Sequence, residues 1–254
     1  TWQAATGGMD IEMGSYTDCK TSDQSWGWNT YYLADPIEKL VNAGRVPMSV
    51  LDDKASRVLR NIFRTAMSAN KAVGNMCSEQ HYDVCRQIGT EGIVLLKNAG
   101  NILPLDPTRY KRILVVGENA VRNLQEGGGS SELKRRRDRL PLDELRALYG
   151  DRIDFAQGYY TGRPLYAAQE PLDEARQKTL HDEAVSKAKN ADLIIYVGGL
   201  NKNGRQDCEG ADRENYHLSF GQDQLIADLA AACPNVVVCT FGGTPFATPW
   251  VGDV

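Results

Sequence analysis

Ile113-Leu114-Val115-Val116-Gly117-Glu118-Asn119 decides the fold: four consecutive aliphatic side chains run straight into a glycine and two polar residues. An alternating pattern would mean a strand with one wet face. An unbroken apolar run instead suits a strand covered on both faces, as in a parallel sheet. The signature recurs in Leu193-Ile194-Ile195-Tyr196-Val197 before Gly198-Gly199, and in Val236 to Thr240 before Gly242-Gly243. Between the runs lie stretches of helical spacing: Leu180, Ala184 and Ala188 mark one, and Leu225, Ile226 and Leu229 mark another, which Pro234 stops. Strand–helix–strand repetition predicts an α/β domain from roughly residue 90 onward, a largely parallel sheet flanked by helices in an α/β sandwich.

Upstream of that region the pattern is helical. Asp35 suits an N-cap, Pro36 the first helical position and Gly44 the C′ position, so residues 36–43 are predicted helical, with Ile37, Leu40 and Val41 inward. A second helix begins after Ser49 with Leu51, Ala55, Val58, Leu59 and Ile62 on one face. A third runs from Ser78 to about Gly89 on Val84, Cys85 and Ile88, and is followed by the apolar run Ile93-Val94-Leu95-Leu96. Residues 1–34 read as loop, with one short helical or strand piece at 7–14.

Composition narrows the function. With 42% hydrophobic and 24% charged residues, the 254-residue chain is globular and not disordered, collagenous or coiled-coil. Twenty-nine basic against 33 acidic residues give a net charge of -4, which offers no general attraction to nucleic acid or anionic lipid. No apolar run approaches the roughly 18 residues of a membrane span, so a soluble chain is expected. The start Thr1-Trp2-Gln3 shows neither the basic nor the apolar region of an export signal. Six cysteines without a C-x-x-C pair and three histidines without H-x-x-x-H spacing argue against a zinc site and for free, packed thiols.

Ligands of open parallel sheets gather at the carboxyl ends of the strands. The loops to read are therefore 117–135, 198–216 and 242–254. In the first, Gly127-Gly128-Gly129-Ser130-Ser131 lets backbone approach a ligand and offers two hydroxyls, although a plain surface loop has the same composition. No G-K-[ST] or G-x-G-x-x-G accompanies it, so a phosphate cradle is disfavoured. The basic run Lys134 to Arg139 lacks interleaved aromatics and reads as a solvated surface. In the second loop, Asp207-Cys208-Glu209-Gly210-Ala211-Asp212-Arg213 crowds four charged side chains into seven residues. Arg213 can pair with Asp207 or Asp212 and shape the loop, leaving Glu209 as a lone carboxyl that burial would keep protonated for general acid catalysis. A purely structural ion-pair loop accounts for the same residues equally well.

GGMDIEMG, LDDKASRVLRNIF, GTEGIVLLKNAGNILPL, ILVVGENA, GGGSS, ADLIIYVGGLN, CEGADR, GQDQLI and GGTPFATPW, in that order, resemble the family-three glycoside hydrolases, and most closely their two-domain β-glucosidases. The resemblance covers the whole chain. It implies a TIM-like barrel followed by an α/β sandwich, with residues 1–70 the C-terminal remnant of the barrel, 71–110 a linker and entry segment, and 111–254 the sandwich, cut at its C-terminus. It also implies a retaining mechanism through a covalent glycosyl-enzyme. Glu209 falls on the acid/base glutamate of an E-G-x-D-R pattern, with Ala211 a mild departure. Gly129, Ser130 and Ser131 fall on a segment lining the aglycone side of the cleft. The family's nucleophile stands in a serine–aspartate–tryptophan motif that does not occur here, and Asp10, Asp18 and Asp23 do not match it. His81, His181 and His217 match no sugar-gripping residue and are expected to be structural or superficial.

The partners implied are a β-glucoside or cello-oligosaccharide and the barrel portion of the same protein, with self-association left open and with no nucleic acid, membrane, metal or organic cofactor. Relatives of this type are often exported, which points to a periplasmic or secreted protein. Three other readings stand beside the β-glucosidase portion: a non-catalytic sugar-binding or assembly module, a nucleotide-binding α/β domain, and a β-xylosidase or exo-glucanase of the same family. An unsealed edge and an uncovered apolar face are expected of the isolated chain.

Overall fold

The computed structural model describes residues 2–13, 31–71, 74–124, 135–162, 172–201, 206, 213 and 215–254. They fall into two compact units, 1–78 and 79–254, whose boundary lies inside the expected linker.

In the first unit, helices α1 (Trp2–Thr6), α2 (Asp35–Asn42) and α3 (Met48–Arg64) surround a small core of Ala5, Ile37 and Val46, with Leu33, Leu40, Val41, Val50 and Leu51 packed against it. The helical piece at the N-terminus thus precedes the expected 7–14 stretch, and residues 9–13 have no regular structure. The cap of α2 also shifts by one residue. Ala34 precedes the helix, Asp35 is its first residue, and Gly44 at φ +67° closes it with Gly44 N–H donating to the Val41 carbonyl. The stripe of α3 is only partly covered: Leu51 and Val58 are half-buried, whereas Leu59 and Ile62 are exposed.

The best-buried residue of α3 is instead Lys54, whose Nζ donates to the Met9 carbonyl at 2.6 Å. One turn on, Arg57 grips Asp10 through both its Nε and Nη2 at 2.7 Å. The Arg57 guanidinium holds the Asp10 carboxyl below the usual carboxylate range. Asp10 is therefore a fastening for the GGMDIEMG segment, consistent with its exclusion as nucleophile.

The second unit holds a four-stranded, all-parallel sheet of β1 (Ile113–Val116), β2 (Ile153–Ala156), β3 (Leu193–Gly199) and β4 (Val236–Phe241), in the order β2-β1-β3-β4. Helices α4 (Glu79–Gly92), α5 (Pro141–Tyr149), α6 (Glu174–Ala188) and α7 (Gln222–Ala232) complete it. The unbroken apolar runs are explained by the two faces. Leu114, Val116, Ile194 and Tyr196 pack under Ala184, Ala188, Leu225, Ile226 and Leu229 of α6 and α7. The alternate residues Ile113, Val115, Leu193, Ile195 and Val197 pack under Leu142, Leu145 and Tyr149 of α5. Full burial of each such side chain is worth about 1.5–3 kcal/mol, so the sheet centre dominates the stability of this unit.

Strand β2 and helix α5 are not among the sequence expectations. Ile153-Asp154-Phe155-Ala156 is an edge strand with Asp154 exposed, which breaks the apolar run. The other edge, β4, leaves Phe241 38% exposed.

Helix α4 forms as expected from its sequence pattern, yet none of its residues is buried. Val84 and Ile88 are exposed, as are Ile93, Val94, Leu95 and Leu96 at 63–78%. A contiguous run of this kind is an interaction surface in water. The isolated 254-residue chain is accordingly expected to bind an apolar dye and to elute above monomer size in gel filtration. A monomer with a sharp, reversible two-state melt would contradict this. Among the described residues, no helix is long and apolar enough to cross a membrane.

Candidate functional site

The carboxyl ends of all four strands point to one rim, and the chain turns sharply there. Gly117 sits at φ +123°, and a Cβ on it would lie 2.1 Å from the Val197 carbonyl oxygen of β3. Only glycine fits, because the neighbouring backbone occupies the place of a side chain. Gly199, at φ +97° against the Phe241 backbone, repeats the device between β3 and β4.

Behind these turns lies a network of buried polar side chains. Glu118 Oε2 accepts from Thr161 N–H at 2.8 Å, and the Thr161 hydroxyl accepts from Arg122. Asn201 Nδ2 donates to the same hydroxyl at 3.3 Å and to Asn119 Oδ1 at 3.5 Å, while Asn119 Nδ2 donates to the Leu200 carbonyl at 3.2 Å. The loops after β1, β2 and β3 are thereby tied together. Burial pushes the Glu118 carboxyl above the usual range, opposed by its Thr161 hydrogen bond and the charges of Arg122 and Arg176.

Gln222, at the start of α7, clamps the end of β3. Its Oε1 accepts from Gly199 N–H at 2.9 Å and from the Tyr196 hydroxyl at 2.7 Å, and its Nε2 donates to the Gly199 carbonyl at 3.1 Å. Desolvation raises the Tyr196 and Tyr159 phenols, so both stay neutral. Buried networks of this kind fix one geometry when their members are satisfied.

The site residues expected from the sequence, Glu209, Gly129, Ser130 and Ser131, lie outside the described residues, as do Asp207 and Asp212. Their flanks are described. Gln206 is 2% exposed, and its Oε1 accepts from Asn201 N–H at 2.8 Å. On the other side of Glu209, Arg213 reaches the loop after β4, donating to Thr244 Oγ1 at 3.2 Å and to the Pro245 carbonyl. Tyr216 and Ala247 join the same two loops through a backbone bond of 2.7 Å. The described bonds of Arg213 thus fasten loop to loop, and the pairing with Asp207 or Asp212 expected from the sequence involves residues outside the described ones.

Most of the remaining sequence features lie at or near the surface. Arg135, Arg137 and Arg139 of the basic run pair with Asp138, Glu79 and Glu144, and Arg137 also lies 4.0 Å from the Tyr82 ring centroid. His181 pairs with Asp228 and His217 with Asp223, each at 3.0 Å. Cys77, Cys85, Cys233 and Cys239 are free thiols, but contrary to the expectation of packed thiols only Cys233 among them is buried and the other three are exposed; Cys19 and Cys208 lie outside the described residues. Among the described residues, no cluster of His, Cys, Asp or Glu is arranged to hold a metal. Sequence reading missed Glu118, Asn119, Thr161, Asn201, Gln206 and Gln222. The only local signal was a polar residue directly after a strand-ending glycine or apolar run, as at 117–119 and 200–201.

Comparison with known proteins agrees with this architecture. The beta-glucosidase BoGH3A of Bacteroides ovatus is 48% identical over 259 residues, covering all of this chain and 35% of the relative. The solved GH3 beta-glucosidase of Bifidobacterium adolescentis superposes with a TM-score of 0.67 at 32% identity, covering 87% of this chain and 31% of that one. DesR, a beta-glucosidase from Streptomyces venezuelae solved in complex with D-glucose, shares the fold with a TM-score of 0.79 at 20% identity, covering 99% of this chain and 44% of DesR. The chain thus spans about a third of the length of the curated relative it matches. Residues 93–254 match the Glycosyl hydrolase family 3 C-terminal domain, and with near-half identity to a family member along its whole length, the chain belongs to glycoside hydrolase family 3.

Proposed function

We propose that the full-length protein carrying this chain is a retaining β-glucosidase that releases terminal β-D-glucose, with Glu209 as its general acid/base. The observation that carries the reading is the position of Cys208-Glu209-Gly210-Ala211-Asp212-Arg213. In sequence it follows β3, whose carboxyl end lies on the side where parallel sheets bind ligands, and the described residues Gln206 and Arg213 that flank the segment are bonded to Asn201 and to Thr244. The near-half identity to a beta-glucosidase supports glucose as the sugar.

In the first step an aspartate of the barrel attacks the anomeric carbon. The bond to the departing glycosidic oxygen breaks as Glu209 gives that oxygen its proton. In the second, the Glu209 carboxylate takes a proton from water while the water oxygen attacks the same carbon, freeing the aspartate and glucose with its configuration retained. The two carboxyls must then stand about 5–5.5 Å apart, since a wider gap of about 6.5–9.5 Å admits water for direct inversion. Gly129, Ser130 and Ser131, from the loop after β1, are assigned to the aglycone side. The partition of the parent protein into barrel remnant (1–70), linker (71–110) and sandwich (111–254) belongs to the same proposal.

For the 254 residues by themselves, a non-catalytic sugar-binding or assembly role is favoured by one observation, the lack of a serine–aspartate–tryptophan sequence. Both parts are tested with an aryl β-glucoside. The full-length protein is expected to turn it over, and to prefer it to the β-xyloside, whereas the chain alone stays at the level of its Glu209→Ala control. Turnover by the chain alone above that control overturns the division of labour, and a preference for xylose moves the assignment to β-xylosidase.

A further inference from the structure

The chain just before α7 presents two neighbouring exposed side chains on a fixed backbone. Tyr216 is 69% exposed, yet its carbonyl accepts from Ala247 N–H at 2.7 Å, which ties it to the loop after β4. The side chain of His217 is 66% exposed, and its backbone N–H donates to Asn215 Oδ1 at 2.9 Å. His217 Nδ1 lies 3.0 Å from Asp223 Oδ2, while the buried Trp250 donates its Nε1–H to Asp223 Oδ1 at 2.9 Å. A carboxylate only accepts, so Nδ1 carries the ring proton and Nε2 of the neutral imidazole is left as an acceptor. Asp223 follows Gln222, which bonds the end of β3 at Gly199, so the pair belongs to the carboxyl end of the sheet.

We propose that Tyr216 and His217 form a ledge for the pyranose ring on the leaving side of the scissile bond: the Tyr216 ring takes the C–H face of that sugar, and His217 Nε2 accepts from one of its hydroxyls. The inference rests on the β-glucosidase reading above and names a binding surface for it. Holding these two side chains ready costs entropy and buries little apolar area, so the arrangement contributes little to folding. It does lower the ordering cost of binding a ligand. The chemistry fits a neutral sugar. Axial C–H groups of a β-glucosyl ring carry partial positive charge and suit the negative face of an aromatic ring, and the equatorial hydroxyls donate. Asp223 is the positioning residue that sets the tautomer of His217.

The test uses the full-length protein. The readout is the ratio of kcat/KM on cellobiose, whose leaving group is a pyranose, to kcat/KM on methyl β-glucoside, whose leaving group has no ring. Both leaving groups need a proton, so a change in acid/base catalysis cancels in the ratio, as does a loss of folded protein. Tyr216→Ala is expected to lower the ratio about tenfold, and Tyr216→Phe, which keeps the ring, to recover most of that loss. His217→Phe, which removes the acceptor, is expected to lower it about fivefold. An unmoved ratio in either Tyr216→Ala or His217→Phe, or a loss in Tyr216→Phe as large as in Tyr216→Ala, overturns the ledge and leaves the role of Glu209 standing. A wild-type protein that hydrolyses neither substrate overturns the β-glucosidase reading and the ledge with it.

Discussion

Glu209→Ala in the full-length protein is expected to lower kcat on cellobiose-like substrates by about 10²–10⁴-fold, the usual contribution of a positioned general acid. With an acidic phenol as leaving group the first step needs no proton, so glycosylation of the enzyme persists there. Release by water still needs a base, and the glycosyl-enzyme accumulates. A fast burst of phenol followed by a slow steady state should therefore appear in the variant on activated substrates. The pH profile carries the same information. The donor must be protonated, so wild-type activity on poor leaving groups falls as pH rises through its pKa, and that alkaline limb is expected to vanish in the variant. Unaltered turnover on cellobiose would remove Glu209 from the role.

The second large effect is structural. Gly117→Ala places a methyl group 2.1 Å from the Val197 oxygen and 2.8 Å from its carbonyl carbon, at φ +123°. Both contacts are backbone of the adjoining strand, in the ladder that pairs Val116 with Tyr196, and neither can yield without opening the sheet. Strain and overpacking together should cost about 3 kcal/mol, a fall in Tm on the order of 10 °C. Gly221→Ala provides the control, since Gly221 is left-handed at φ +72° and ψ +16° but has open space around it, and should cost only about 1 kcal/mol. Calorimetry of both variants decides the point. Melting of Gly117→Ala alongside Gly221→Ala would mean that the rim tolerates a displaced β1–β3 turn.

The sheet centre was legible in the sequence because β1 and β3 are buried on both faces, which leaves an unbroken apolar run. β2 was not, because its edge position allows Asp154 to face solvent and the run is broken. α6 and α7 announced themselves through Ala184, Ala188, Leu225, Ile226 and Leu229, all fully buried against one face. α4 shows the opposite outcome: periodicity produced the helix, but burial depends on a partner surface, and Val84 and Ile88 stay exposed among the described residues.

The site divides along the same line. Glu209 stands out by the chemistry of its neighbours in sequence, and through the family's pattern. The polar network at the ends of the strands did not, because most of its links join residues distant in sequence, such as Thr161 to Glu118 and Asn119 to Leu200. A glutamate following Gly117 looks like an ordinary turn residue until β2 brings Thr161 against it. Gln222 likewise reads as a first-turn helix residue, and its role emerges only where α7 begins beside Gly199.

Azide offers the most direct test of a proton-delivering Glu209. Azide needs no base, so in Glu209→Ala it should take the place of water, attacking the anomeric carbon of the glycosyl-enzyme from the face the aglycone left. Two successive inversions then yield β-glucosyl azide, with restored turnover of an activated aryl glucoside. Formation of α-glucosyl azide would contradict the account, since that product arises when the lost carboxylate was the nucleophile.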